Sequence, residues 1–164
     1  MASFVCFKFK ALFNQDLPAD EARKIVQALA RSSPQASFLV LRVLINGWPT
    51  SARFQESPTG PCLFGCAGCK DDLKHYLHCP QLHFAAAQSF GESSLFEPPA
   101  ARFGLRCPLV GPEVWRAAVL TEIYLTAKGT QHSSNSFLTT LMLRKIATAA
   151  ALKVRPWFRP PADR

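Results

Sequence analysis

No apolar stretch in this sequence approaches the ~20 residues that a membrane-crossing helix requires. The longest, from Phe38 to Ile45, carries Arg42 in its middle and is not read as a membrane span. The first seventeen residues alternate Phe with Lys and lack a continuous apolar region followed by a small-residue cleavage site, so no secretory signal is expected. Acidic side chains are scarce, with 11 Asp and Glu against 19 Lys and Arg, and the net charge of +8 favours contact with polyanions such as nucleic acid. Internal repeats and low-complexity tracts are also lacking, which argues against a solenoid or an array. The expected setting is intracellular, nucleus or cytoplasm, where thiols stay reduced.

What is present suits one modest core. Of 164 residues, 48% are apolar, an ordinary proportion for a folded chain. Thirteen prolines, clustered at 98–112 and 156–161, break that core with stiff connections. The expected fold is mainly α, a small irregular helical domain built around a CCHC zinc knuckle with extended Pro-rich connections. It divides into an N-terminal helical segment (1–48), a zinc-knuckle region (49–90), an irregular linker (91–112), a helical pair (113–154) and an extended basic tail (155–164).

Within the first segment, 16–33 begins with acids, carries Ile25, Val26 and Leu29 on one side and has Arg31 near its end, charges that suit a helix dipole. The next element has Ser33 as N-cap, Pro34 at the first helical position and a stop at Asn46-Gly47. Its caps favour a helix, although Val40, Val43 and Ile45 also suit a buried strand. Trp115, Val119 and Ile123 recur every four residues, as do Leu138, Met142 and Ile146, which predicts two helices. Lys128 is expected to close the first of them and Ser134 or Asn135 to cap the second.

Four of the six cysteines fall within eighteen residues, in a stretch holding Cys62, Cys66, Cys69, His75, His78, Cys79 and His83. Tetrahedral zinc needs four ligands. Cys62 and Cys66 flank Gly65, whose backbone freedom lets two thiolates turn toward one metal. If Leu73 to Cys79 is helical, His75 and Cys79 lie at i and i+4 on one face, with Asp72 as the cap. The favoured set is therefore Cys62, Cys66, His75 and Cys79. Cys69 in place of Cys66 and His83 in place of Cys79 are the competitors; Pro80 disfavours helix at Cys79 and beyond, and His78 points elsewhere. Three thiolates and an imidazole close the metal shell, which marks a structural rather than a catalytic site. Cys6 and Cys107, far from the cluster in sequence, are read as core or free thiols.

The order LRVLINGWPTSARFQ, CLFGC and DDLKHYLHCP, over about residues 39–81, resembles the C-terminal region of non-LTR retrotransposon reverse transcriptases. Trp48, Thr50, Arg53 and Phe54 match the segment that precedes the metal ligands there, and Cys62, Cys66, His75 and Cys79 match the ligands. RAAVLTEIYLTAKGTQH is more loosely similar to the helix that follows. The resemblance implies a zinc-binding tail that holds RNA or DNA for an upstream polymerase. Asp71 and Asp72 lie inside the metal loop and cannot be the paired catalytic aspartates of a polymerase, so no catalytic activity is expected.

The function anticipated is a zinc-dependent module for RNA or single-stranded DNA. Arg53, Lys70 and Lys74 would meet phosphates, with Tyr76 and Phe64 stacking on bases. Arg144, Lys145, Lys153, Arg155, Arg159 and Arg164, with Trp157 and Phe158, make the C-terminal end a second candidate contact. The alternatives are a zinc-stabilised scaffold for a protein partner, using the Trp115 helix or the tail, and a non-functional retrotransposon-derived fragment.

Overall fold

A computed structural model describes residues 2–90, 111–134 and 138–158. Most of the linker expected at 91–112 lies outside these residues, as do Cys107, Asn135, Arg159 and Arg164. The described chain forms α1 (Ala2–Phe13), α2 (Ala19–Arg31), α3 (Pro34–Leu44), α4 (Leu73–Tyr76), α5 (Pro80–Phe90), α6 (Gly111–Ser134) and α7 (Thr140–Val154). A single antiparallel bridge, Pro61 to Lys70, is the extended pairing recorded among them.

Local chemistry accounts for the helix ends. The Ser33 hydroxyl accepts the Ala36 N–H at 3.2 Å and Pro34 opens α3. At the other end Asn46 adopts φ 53°, the Gly47 N–H reaches the Arg42 carbonyl at 2.6 Å, and the Asn46 N–H reaches that of Val43 at 3.0 Å. This is a Schellman closure. A Cβ on Gly47 would sit 3.1 Å from the Arg42 oxygen, so glycine is what allows the approach. These caps settle the helix-or-strand ambiguity of α3. Its β-branched residues fit because Ala36, Leu39, Val40, Val43 and Leu44 pack on a helical stripe.

Helices α1, α2 and α3 pack on one another, α5, α6 and α7 pack on one another, and α3 against α6 joins the two groups. The second group depends on α6, in which every residue from Ala117 to Tyr124 is buried. A stretch enclosed on every side belongs inside a fold, and here it packs against α3, α5 and α7. At the junction the Thr121 hydroxyl donates to the Leu39 carbonyl at 3.3 Å.

Three expectations change. α6 runs past Lys128 to Ser134, so Lys128 does not end the helix. α7 is capped by Thr139, whose hydroxyl accepts the Met142 N–H at 3.3 Å; Leu138 therefore precedes the helix, and the buried stripe is Leu143, Ile146, Ala147, Ala150 and Val154. Arg155–Phe158, the first part of the tail expected to be extended, form a 3-10 turn, since the φ that proline imposes at Pro156 also suits that turn.

Leu44 is 1% exposed on α3 and Phe38 is 56% exposed on the same helix. Leu44→Ala is expected to cost about 2–5 kcal/mol by urea denaturation, with Phe38→Ala near neutral.

Candidate metal centre

The metal loop is built from two consecutive tight turns. The Gly65 N–H returns to the Cys62 carbonyl at 3.1 Å and the Cys69 N–H to that of Cys66 at 3.3 Å. Each turn contains a glycine with positive φ, Gly65 at 80° and Gly68 at 69°, a region that side-chain-bearing residues rarely occupy. The first turn brings Cys66 back over Cys62. The second carries Cys69 away into the Pro61–Lys70 bridge, where its carbonyl accepts the Cys62 N–H at 2.9 Å.

The other half of the site comes from α4 and the break after it. Asp72 caps α4, its carboxylate accepting the Lys74 N–H at 3.2 Å. The helix stops at Tyr76 instead of continuing to Cys79, because Pro80 makes helical backbone unfavourable at the residue before it. Helix resumes directly after the break: Pro80 opens α5, and the Cys79 sulfur accepts the Leu82 N–H at 3.4 Å in the manner of an N-cap. His75 and Cys79 thus meet across a helix break rather than along one helical face.

One ligand atom from each of Cys62, Cys66, His75 and Cys79 lies within 4.8 Å of the other three, a grouping able to hold a metal ion. The Cys79 Sγ is 3.9 Å from that of Cys62 and 3.5 Å from that of Cys66. His75 Nε2 is buried with no hydrogen-bond partner, as a ring nitrogen reserved for a metal would be. Cys69 is not in this group. His78 is exposed, and the buried His83 turns its Nε2 to the Leu77 carbonyl at 3.1 Å.

The thiols influence one another strongly. The Cys79 hydrogen bond holds the Cys62 thiol well below its ordinary pKa, and the same bond together with burial pushes Cys79 up. Burial likewise raises Cys66. Three sulfurs this close cannot all carry negative charge without a compensating cation, a charge that a metal ion held there would supply.

Next to the cluster stands a residue that spacing alone did not single out. Asp71 is 1% exposed, and its carboxylate accepts the Ser51 N–H at 2.8 Å, the Tyr76 hydroxyl at 2.7 Å, the Tyr124 hydroxyl at 3.2 Å and the Lys128 ammonium at 2.7 Å. Tyr76 and Tyr124 also pack with Trp48, which stacks on Tyr124 at a centroid distance of 4.4 Å. The available sequence signals were the paired aspartates after Cys69 and the Trp48 segment, but nothing in the spacing links them to Lys128.

This placement corrects the nucleic-acid contact expected of Tyr76. It is fully buried, its hydroxyl is committed to Asp71 and the Leu63 N–H, and it presents no ring face to a base. Phe64 is also interior, edge-on to Tyr76 at 5.7 Å. Arg53, Lys70 and Lys74 are exposed, although Arg53 also donates to the Gly47 carbonyl at 3.1 Å. Cys6 is half-buried against the core. Among the described residues no helix is long and apolar enough to cross a membrane.

Burial, and then the negative charge of Asp71, push the Tyr124 phenol well above its ordinary value of 10.0. A phenol raised in this way stabilises the fold below the unfolded-state pKa, and the contribution fades as pH climbs past it. The urea midpoint should therefore fall with rising alkalinity beyond about pH 10. Tyr124→Phe, which keeps the ring and removes the ionisable group, should make that decline shallower, the remainder coming from Tyr76, which burial and Asp71 also raise. No protein-family model matches the chain, and no curated protein and no solved structure shows significant similarity to it.

Proposed function

We propose that this chain is a zinc-stabilised helical interaction module with no catalysis of its own, working inside the cell. The convergence of Cys62, Cys66, His75 and Cys79 on one point carries the reading. Zinc bound tetrahedrally by thiolates at about 2.3 Å sets its sulfurs about 3.8 Å apart. The recorded spacings of 3.5 and 3.9 Å fit that figure. Soft thiolates with one imidazole favour zinc over hard cations, and four protein ligands leave no position for a substrate. Structural zinc contributes about 10–16 kcal/mol in small domains, comparable with the whole stability of an ordinary fold, about 5–15 kcal/mol. Such a site determines whether its surroundings fold at all.

A protein partner is the first reading of what the module contacts. Phe4 and Phe7 on α1, Phe38 on α3 and Ile45 at its end are exposed large apolar residues of the kind that a partner's surface would cover. RNA or single-stranded DNA is the second reading, favoured by the +8 charge and by exposed Arg53, Lys70 and Lys74 beside the metal loop. The likeness to a retrotransposon reverse-transcriptase tail rests on segment order. In this fold Trp48 and Thr50 are interior, and the Thr50 hydroxyl accepts the Arg53 N–H at 3.1 Å, so that part of the motif serves architecture.

Purified protein should hold one zinc per chain by elemental analysis. Cys62→Ser, Cys66→Ser, His75→Ala and Cys79→Ser should each lose it while Cys69→Ser and His78→Ala retain it; loss on Cys69→Ser with retention on Cys66→Ser would reverse the ligand assignment. For the second reading, affinity for a single-stranded RNA oligonucleotide should fall steeply as salt is raised, and Lys70→Ala with Lys74→Ala should shallow the slope by roughly one to two phosphate contacts. Salt-insensitive binding would leave the protein-partner reading alone.

A further inference from the structure

We infer that metal occupancy and the docking of α6 are energetically coupled through Asp71, so that loss of the metal loosens the helix around which the second helical group packs. The inference rests on the metal reading above and adds a consequence that the cluster does not itself contain.

The path is continuous in hydrogen bonds. Asp71 lies between the two ligand pairs in sequence, and its backbone is tied to the loop that precedes the metal site. Its N–H donates to the Gly60 carbonyl at 2.8 Å, and its own carbonyl accepts the Ala52 N–H at 3.2 Å. Tyr76, beside the ligand His75, accepts the Leu63 N–H at 3.2 Å, beside the ligand Cys62, and donates to the Asp71 carboxylate at 2.7 Å. Both halves of the metal site therefore bear directly on the position of one carboxylate. That carboxylate is in turn the partner of two side chains of α6, Tyr124 and Lys128.

The coupling has force because the groups are enclosed. The side chains of Asp71 and Lys128 are 1% and 13% exposed, so water cannot easily replace either partner. If the loop opened when the metal left, Lys128 would be an interior cation without its carboxylate, and Tyr124 would lose the same acceptor. Undocking α6 lets water solvate both groups. Linkage makes the effect reciprocal: weakening the α6 end must weaken metal binding, even though Lys128 offers no ligand atom.

Zinc affinity of the full chain, measured by chelator competition, tests this together with amide hydrogen exchange. Lys128→Met should lower zinc affinity at least about tenfold. Lys153→Met, which removes another ion pair of α6, that with Glu122, should leave it unchanged. Chelating zinc from the wild type should speed exchange across 121–128 by at least about tenfold while 25–29 of α2 change less. Zinc affinity within about twofold of wild type in a helical Lys128→Met overturns the coupling, as does an equal loss in Lys153→Met. If Lys128→Met does not fold, the wild-type exchange measurement decides alone, and unchanged protection of α6 after chelation overturns the proposal. A wild type that binds no zinc removes the metal reading itself, which distinguishes that failure from failure of the coupling alone.

Discussion

The Asp71 carboxylate is taken out of water with four donors around it, and these come from places far apart in the chain: the loop at Ser51, α4 at Tyr76, and α6 at Tyr124 and Lys128. An interior carboxylate is tolerated only when it is paired and hydrogen-bonded. Removing one member of a buried ion pair ordinarily costs about 3–5 kcal/mol, because the other charge is left uncompensated. The arrangement thus works as a geometric constraint. The loop, α4 and α6 must each take their places for any of these polar groups to be satisfied, which ties a short, irregular loop to a regular helical core.

The Cys3His cluster stands on the same scaffold. Glycines at 65 and 68 supply the left-handed backbone that its two turns require, and proline at 80 interrupts the helix where the last thiol has to turn inward. The stacked Trp48 and Tyr124 and the tilted Tyr76 form an aromatic group that joins the segment before the metal loop to α4 and α6. Tyr76 belongs to both sides, since its hydroxyl serves Asp71 while its backbone neighbour His75 faces the sulfurs. Aromatic residues that look in sequence like stacking platforms for bases are here spent on joining the metal loop to the core.

The surface left over is cationic and unevenly apolar. Lys8 lies 5.6 Å from the ring centroids of both Phe4 and Phe7, and Arg42 lies 4.8 Å from that of Phe38, so several exposed aromatic rings carry a cation over them. Such pairs lessen the cost of exposing a ring to water and set positive charge beside exposed apolar groups. A scaffold for a protein partner and a phosphate-contacting module make different demands on these side chains, apolar burial in one and charge neutralisation in the other.

Much of this was legible in the residues themselves, because the signals are local. Ser33 with Pro34, Asn46 with Gly47, and Asp72 before α4 act within a few residues of one another, so their caps could be read directly. The grouping of Cys62, Cys66, His75 and Cys79 was legible from their short spacing and the turn at Gly65, although His75 and Cys79 come together across a helix break and not by the four-residue helical step that the spacing suggested. What could not be read were relations between distant segments. The burial of Tyr76 and the pairing of Asp71 with Lys128 depend on where α6 lies against the loop. Sequence by itself determined the turns, the caps and the chemistry of the ligands, since those follow from backbone preference and donor type at short range. Only the tertiary structure decided that the carboxylate beside the metal loop faces a lysine on α6, because that contact exists only once two segments 57 residues apart have been packed together and shut off from water.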